Sequence, residues 1–274
     1  MVNADQPAPP AGPATPTRRV VLLGASNLAR GFPTVIERIR RLQQGPIEIL
    51  AALGHGRSYG STSHVLGRGL PGIVQCGLWK ALADRPELPT SALVTDVGND
   101  IVYGAPVATI AGWVETCLDR LAARGAHVTI TLLPLANLEA LTARRFRFFR
   151  ALLYPRSRLS LEEAAARARE LNDSLARIGS ERSLAVVEPN RGWYGFDPIH
   201  IRRRSRRAAW SKILSSWAGA ESFFDAAAAA AVDPLWRRLA YRAIAPERRW
   251  LLGVERRRAQ PARRDADGTT ISLY

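Results

Sequence analysis

The chain has 274 residues, 47% of them hydrophobic, which suffices for one large α/β domain with a sizeable core. Its formal net charge is +15, and all but two of its 39 basic residues are arginine. No apolar run approaches the roughly 20 residues of a membrane helix, and residues 1–18 lack the basic and apolar regions of a secretory signal. With Cys76 and Cys117 as the only cysteines, we expect a cytoplasmic protein without a disulfide framework.

Short apolar runs alternate with amphipathic segments over residues 19–218. The predicted strands span about residues 19–24, 47–53, 92–96, 127–133 and 184–187. The predicted helices begin near Pro33 and then cover about residues 70–83, 106–124, 137–153, 160–179 and 202–218. The alternation predicts a three-layer α/β/α fold around a five-stranded, mainly parallel sheet. Because right-handed crossovers bring the carboxyl ends of parallel strands to one edge, side chains that follow the strands are expected to converge there.

The two ends of the chain differ from this central domain. Residues 1–18 are rich in Pro and Ala and are predicted to be disordered. Residues 219–254 predict a helical basic extension, and residues 255–274 predict a disordered tail. Residues 201–274 carry nine of the fifteen surplus positive charges. Their basic amphipathic helix is expected to pack on the domain, lie on an anionic membrane surface or join a partner subunit; no specific nucleic acid is expected.

Three polar residues follow predicted strands in a pattern that suits nucleophilic catalysis. Ser26 stands just past the first strand, and Asp197 and His200 lie three apart in a loop after the fifth. A serine hydroxyl needs a base to take its proton, and histidine suits that role. A carboxylate on the other ring nitrogen stabilises the resulting imidazolium. These residues predict a nucleophile, its base and an orienting acid.

Attack on an ester develops an oxyanion, which requires hydrogen-bond donors fixed in advance. The N–H of Ser26, the N–H of a bending glycine such as Gly60, and the side-chain amide of Asn99 can supply them. Asn99 follows the third strand, and Gly60 lies in the loop after the second. The same residue pattern contains no Cys/His cluster at metal-ligand spacing.

Four segments in this order resemble the sequence blocks of the SGNH (GDSL-type) hydrolase superfamily. They are Gly24-Ala25-Ser26, a loop glycine after the second strand, Gly98-Asn99-Asp100, and Asp197-x-x-His200. The resemblance implies a flavodoxin-like fold and cleavage of esters of lipids, carbohydrates or other small molecules without a cofactor. It makes Ser26 the nucleophile, His200 the base and Asp197 the acid.

The resemblance also implies an oxyanion hole formed by Ser26, Gly60 and Asn99. Gly60 is preferred because Tyr59-Gly60-Ser61-Thr62 resembles the family's Ser-Gly-x-Thr segment, and Gly56 is the alternative. Two positions depart from the family pattern: Ala25 replaces the usual Asp, and Val97 stands where the family usually has Gly. Neither change removes a proposed catalytic group.

Five further residues are candidates for binding the substrate. They are Asn27, His55, Arg57, Phe146 and Phe149. The two phenylalanines lie in an arginine-rich segment after the fourth strand, which is expected to cover the pocket. Two other functions stay open: an acyltransferase with the same residues, and a non-enzymatic binder of nucleic acid or membrane that uses the arginine surplus.

Overall fold

The computed structural model describes residues 14–43, 45–65, 67–153, 158–217 and 234–274. The strands are β1 (Arg18–Leu23), β2 (Ile47–Ala52), β3 (Ser63–Val65), β4 (Arg68–Leu70), β5 (Thr90–Val94), β6 (His127–Thr131), β7 (Ala185–Val187), β8 (Arg248–Leu251), β9 (Val254–Arg257), β10 (Arg263–Arg264) and β11 (Thr270–Leu273). The helices are α1 (Ser26–Leu42), α2 (Leu78–Ala83), α3 (Asn99–Val102), α4 (Val107–Ala122), α5 (Leu135–Glu139), α6 (Ala143–Leu153), α7 (Leu161–Glu181), α8 (Arg206–Ile213) and α9 (Leu235–Arg242).

The five strands predicted from the sequence form the parallel centre of the main sheet. Their order is β2-β1-β5-β6-β7, the order of a flavodoxin-like doubly wound fold. Leu23 of β1 pairs with Ala52 of β2 on one side and with Val94 of β5 on the other. All five strands therefore end at one edge, which is where the sequence predicts the site. The α/β fold class is confirmed.

Helices cover both faces of the sheet. Val21 and Leu23 of β1 belong to a buried cluster that includes residues of α4 and α7. Val20 and Leu22 point the other way, into a cluster with α1 and α8. Because alternate side chains of a strand face opposite sides, near-continuous apolar strands are what a sheet buried on both faces requires. The structure is the predicted three-layer α/β/α sandwich.

The number of strands and the fate of the last residues differ from the prediction. The main sheet has seven strands, because β11 pairs parallel to β2 and β10 pairs antiparallel to β11. The segment 255–274, predicted to be disordered, thus supplies strands, and all four residues of β11 are buried. Its arginine-rich first part resembles a solvated tail, and four residues are too few to display a strand period.

The basic extension also differs from the helical prediction. Helix α9 is present, but β8 and β9 follow it and join β3 and β4 in a second, antiparallel sheet of order β3-β4-β8-β9. The chain between β2 and α2 contributes the β3–β4 hairpin to this sheet, which the sequence analysis did not predict. Residues 1–13 of the N-terminus predicted to be disordered lie outside the described residues. The same holds for residues 219–233 of the predicted extension.

The region after β6 contains two helices, α5 and α6, instead of the single predicted one. The next predicted boundary is confirmed: Ser160 accepts from the N–H of Glu163, and the Glu163 side chain accepts from the N–H of Ser160, which is a capping box. Among the described residues, no helix is long and apolar enough to cross a bilayer. Whether α9 lies on an anionic membrane stays a prediction.

The pairing of β11 with β2 makes Ile271 a direct test of the ordered C-terminal strand. Its side chain is fully buried in the cluster under α1. Ile271→Ala should lower the free energy of unfolding by about 2–5 kcal/mol, because it leaves a cavity in the core. Urea denaturation measures the change; Val254→Ala, at a residue that is 52% exposed on β9, is the control. A disordered tail would instead give equal stability for both variants.

Candidate active site

Three residues predicted from the sequence form a hydrogen-bonded chain at the carboxyl edge of the sheet. His200 Nε2 lies 2.9 Å from Ser26 Oγ, and His200 Nδ1 lies 2.6 Å from Asp197 Oδ2. Ser26 and His200 are 9% and 6% exposed, so little water competes for this contact. The arrangement allows the ring to accept the serine proton while the carboxylate balances the charge.

Asp197 also fixes the loop that presents His200. Its Oδ1 accepts from the backbone N–H groups of Ile199 and His200, each at 3.2 Å, which is the geometry of an Asx turn. Burial raises the pKa of Asp197. The hydrogen bonds with His200 and with the two N–H groups lower the pKa by more than burial raises it, so the net pKa lies below its ordinary value. Asp197 therefore remains an anion at neutral pH.

Asp96 is the main residue of the site that the sequence does not single out. Its Oδ2 accepts from the N–H groups of Ala25 and Leu28, both at 3.0 Å, and its Oδ1 accepts from Asn27 Nδ2 at 2.9 Å. These are free N–H groups at the start of α1, where a carboxylate is favourable. Asp96 has a φ of +58°, a left-handed conformation that Asp tolerates better than most residues.

The hydrogen bonds of Asp96 explain why α1 begins at Ser26, whereas the sequence predicts a start near Pro33. Ala25 makes no side-chain cap of its own, and Pro33 lies inside the helix. The cap comes instead from Asp96, about seventy residues away in sequence and just past the end of the neighbouring strand β5. The sequence gives only a positional signal, because Ser26 and Asp96 each follow a predicted strand and so are expected at the same edge of the sheet.

Asn27 connects the serine loop to the histidine loop. Its Nδ2 donates to the carbonyl of Ile199 at 2.8 Å, and its Oδ1 accepts from the N–H of Ile201 at 2.8 Å. These two partners flank His200. Asn27 was predicted to bind substrate, and although it borders the cavity at Ser26, its amide is committed to holding His200 opposite Ser26.

Asn99 and Ser26 border the same cavity, as the oxyanion-hole prediction requires. Asn99 Nδ2 donates to the carbonyl of Arg57 at 3.2 Å, which fixes the amide. Asp100, the next residue, has a structural role: it accepts from the Ser58 hydroxyl and from the N–H of Tyr59 at 2.8 Å. Asn99 and Asp100 thus both hold the loop after β2, one through Arg57 and the other through Ser58 and Tyr59.

Gly60 does not fit the predicted oxyanion role. Its N–H donates to Ser58 Oγ at 3.1 Å, and a Cβ at this position would lie 2.0 Å from the Trp113 ring. The glycine is needed because α4 packs directly against it. The alternative, Gly56, has a φ of +62° and precedes the Arg57 carbonyl that holds Asn99.

Arg57 and His55 do not line the cavity at Ser26. Arg57 is fully buried and donates to the carbonyls of Leu53, Pro71 and Tyr274, so its predicted contact with substrate is wrong. An arginine in a glycine-rich loop looks exposed in the sequence, but the last strand folds over it. His55 is exposed and borders a different cavity.

An apolar cavity of about 150 Å³ opens beside Ser26. Its walls come mainly from the loop after β6 and from α3, α5 and α6, and include Val102, Leu132, Leu135, Leu138, Phe146 and Phe149. The predicted pair Phe146 and Phe149 therefore lies where the sequence suggested. The ring of Phe149 lies 5.5 Å from the ring of Phe196, the residue before Asp197. Helix α6 therefore packs against the loop that carries His200.

No protein-family model matches the chain, and no curated protein sequence matches it. Solved structures that are similar include a lipolytic G-D-S-L family protein from Veillonella parvula (13% identity, 72% of this chain and 97% of that chain, TM-score 0.47). A carbohydrate acetylesterase family member from Sinorhizobium meliloti is similar at 16% identity (72% and 96%, TM-score 0.49), and the M. smegmatis aryl esterase at 12% (72% and 97%, TM-score 0.49).

The three hydrogen bonds of Asp96 predict a large effect on stability. Asp96→Ala leaves two N–H groups at the start of α1 and the Asn27 amide without their acceptor, and should lower the free energy of unfolding by about 2–4 kcal/mol. Asp173→Ala, at an exposed position of α7, is the matched control and should change it by less than about 0.5 kcal/mol. Equal urea midpoints for the two variants would contradict the capping role.

Proposed function

We propose that the protein is a serine hydrolase that cleaves carboxylic esters through an acyl-enzyme intermediate. The observation that carries the proposal is the hydrogen-bonded chain from Ser26 through His200 to Asp197, beside an apolar cavity. A chance contact between a serine and a histidine would not explain why a carboxylate also binds the other nitrogen of the histidine ring. Together these groups supply a nucleophile, a base and a charge that stabilises the protonated base.

In the proposed mechanism, Ser26 Oγ attacks the ester carbonyl as His200 Nε2 takes its proton. His200 then gives that proton to the departing alcohol, and the acyl group stays on Ser26 until water, activated by the same ring, releases it. Asp197 stays ionised throughout, as its lowered pKa allows. The apolar cavity accepts the acyl group, with Phe146 and Phe149 in its wall.

The oxyanion is proposed to be held by the N–H of Ser26 and the amide of Asn99. Ser26 is the first residue of α1, so no carbonyl of the helix reaches its N–H. The Asn99 amide borders the cavity beside Ser26, and its hydrogen bond to the Arg57 carbonyl fixes its orientation there.

Hydrolysis of short 4-nitrophenyl esters tests the nucleophile and base. Ser26→Ala and His200→Ala should each lower kcat by about a thousandfold or more, because the covalent route is lost. The controls are Ser174→Ala and His127→Ala, both away from the cavity, which should retain activity. A fluorophosphonate probe should label the wild type but not Ser26→Ala. A folded wild type that neither labels nor turns over would overturn the proposal.

Asn99→Ala tests the oxyanion hole. The variant loses a donor that acts mainly in the transition state, so kcat should fall about 10²–10³-fold while KM changes little. Ester kinetics and a urea unfolding curve are needed together, since Asn99 also braces the loop at Arg57. A rise in KM at constant kcat would instead mean that Asn99 binds the ground state and the transition state equally.

A further inference from the structure

A second cavity, which we call the arginine cleft, borders the start of α1 and measures about 680 Å³. Its walls come from α1, the loop after β2, the β3–β4 hairpin, α8 and the segment around α9. Its basic lining residues are Arg30, His55, Arg68, Arg206, Arg242 and Arg249. Among the described residues that line it, none is Asp or Glu.

The positive charges of the cleft are largely uncompensated within the described part of the chain. Arg30 has one ion pair, a long 3.8 Å contact with Asp197, which His200 already engages. No ion pair forms there between Arg206, Arg242 or Arg249 and any described carboxylate. Nearby Asp265 is taken by Arg40 and by two further donors. Clustered cations repel one another, so the cleft favours any anion that enters it.

The surroundings of Arg206 reflect this crowding. Burial lowers the pKa of its guanidinium first, and the neighbouring positive charges of Arg30 and Arg242 lower it further. His55 is exposed at the edge of the cleft, yet partial desolvation by the surrounding protein and then the charge of Arg30 lower the pKa of its ring. Several guanidinium groups around one space form the arrangement that binds phosphate or carboxylate oxygens in pairs.

The position of the cleft connects it to the ester site. Arg30 lies one turn of α1 after Ser26 and contacts Asp197, so the cleft begins beside the catalytic chain. The cleft and the apolar cavity share no lining residue, yet both border the first turns of α1. The two cavities differ in chemistry, apolar beside Ser26 and basic beside Arg30, and only Arg30 links the second cavity to the catalytic chain through Asp197.

We propose that the arginine cleft binds an anionic group, phosphate or carboxylate, on the leaving-group side of the ester that Ser26 attacks. This inference rests on the proposed function. In the step, the bond from Ser26 Oγ to the carbonyl carbon forms as the bond from that carbon to the leaving oxygen or sulfur breaks. His200 passes the serine proton to the leaving atom, and the anionic group in the cleft undergoes no bond change.

Two esters that differ by one carboxylate on the leaving group test the inference on the full chain at constant ionic strength. They are 4-nitrophenyl butyrate and 3-carboxy-4-nitrophenyl butyrate. The wild type should show a kcat/KM about tenfold higher for the anionic ester, mainly through a lower KM. Arg206→Gln and Arg242→Gln should each reduce this ratio several-fold. Arg204→Gln, at an exposed arginine outside the cleft, should leave the ratio as in the wild type.

A binding measurement gives a readout that does not depend on turnover. Calorimetric titration of Ser26→Ala protein with inorganic pyrophosphate and with citrate distinguishes phosphate from carboxylate recognition. Arg206→Gln in the same background should weaken the binding of the preferred anion. Binding to phosphatidylglycerol vesicles without binding to either small anion would overturn the inference in favour of a membrane surface.

The outcomes separate the two proposals. Equal kcat/KM for both esters, with hydrolysis that depends on Ser26, would overturn the arginine cleft and leave the esterase proposal standing. Absence of hydrolysis for both esters, together with absence of fluorophosphonate labelling, would overturn the esterase proposal and the inference that rests on it. If Arg206→Gln left the preference for the anionic ester unaltered, the proposed role of the arginine cleft would also be overturned.

Discussion

The geometry of the site depends on the hydrogen bonds that the carboxylate of Asp96 accepts. This carboxylate caps the start of α1, which fixes Ser26, and it holds Asn27. Asn27 in turn grips the backbone on both sides of His200. Three loops from three different strands thus meet through one partly buried network, and each member limits the freedom of the next. A serine and a histidine 174 residues apart stay within hydrogen-bond distance because of these contacts.

The network also accounts for Ala25, which stands where the resembled family usually has Asp. In this chain the N–H of Ala25 donates to the carboxylate of Asp96, two residues past the end of the adjacent strand β5. A negative charge is therefore present at the start of α1 without an acidic residue at position 25. The left-handed backbone of Asp96 is tolerated because three hydrogen bonds hold the side chain in place.

Much of the fold and the central part of the site follow from local signals in the sequence. The strands around β1, β5 and β6 are apolar runs ended by turn residues, and their alternation with helices determines a shared edge. Ser26, Asn99 and His200 could be predicted because each follows a strand. The role of Asp96, the burial of Arg57 and the pairing of β11 could not, since each depends on contacts between distant segments. The arginine cleft likewise combines residues from five parts of the chain that have no common sequence pattern.

The added C-terminal strands change how the main sheet ends. Without them, β2 would be an edge strand of six residues with an open row of N–H and C=O groups, a template for another chain. Instead the outer strands are β10, of two residues, and β7, of three. The β10 edge consists of Arg263 and Arg264, whose charges oppose pairing with a second copy. A protein with two such short edges should resist sheet-extending aggregation, even though its central strands are among the most apolar segments of the chain.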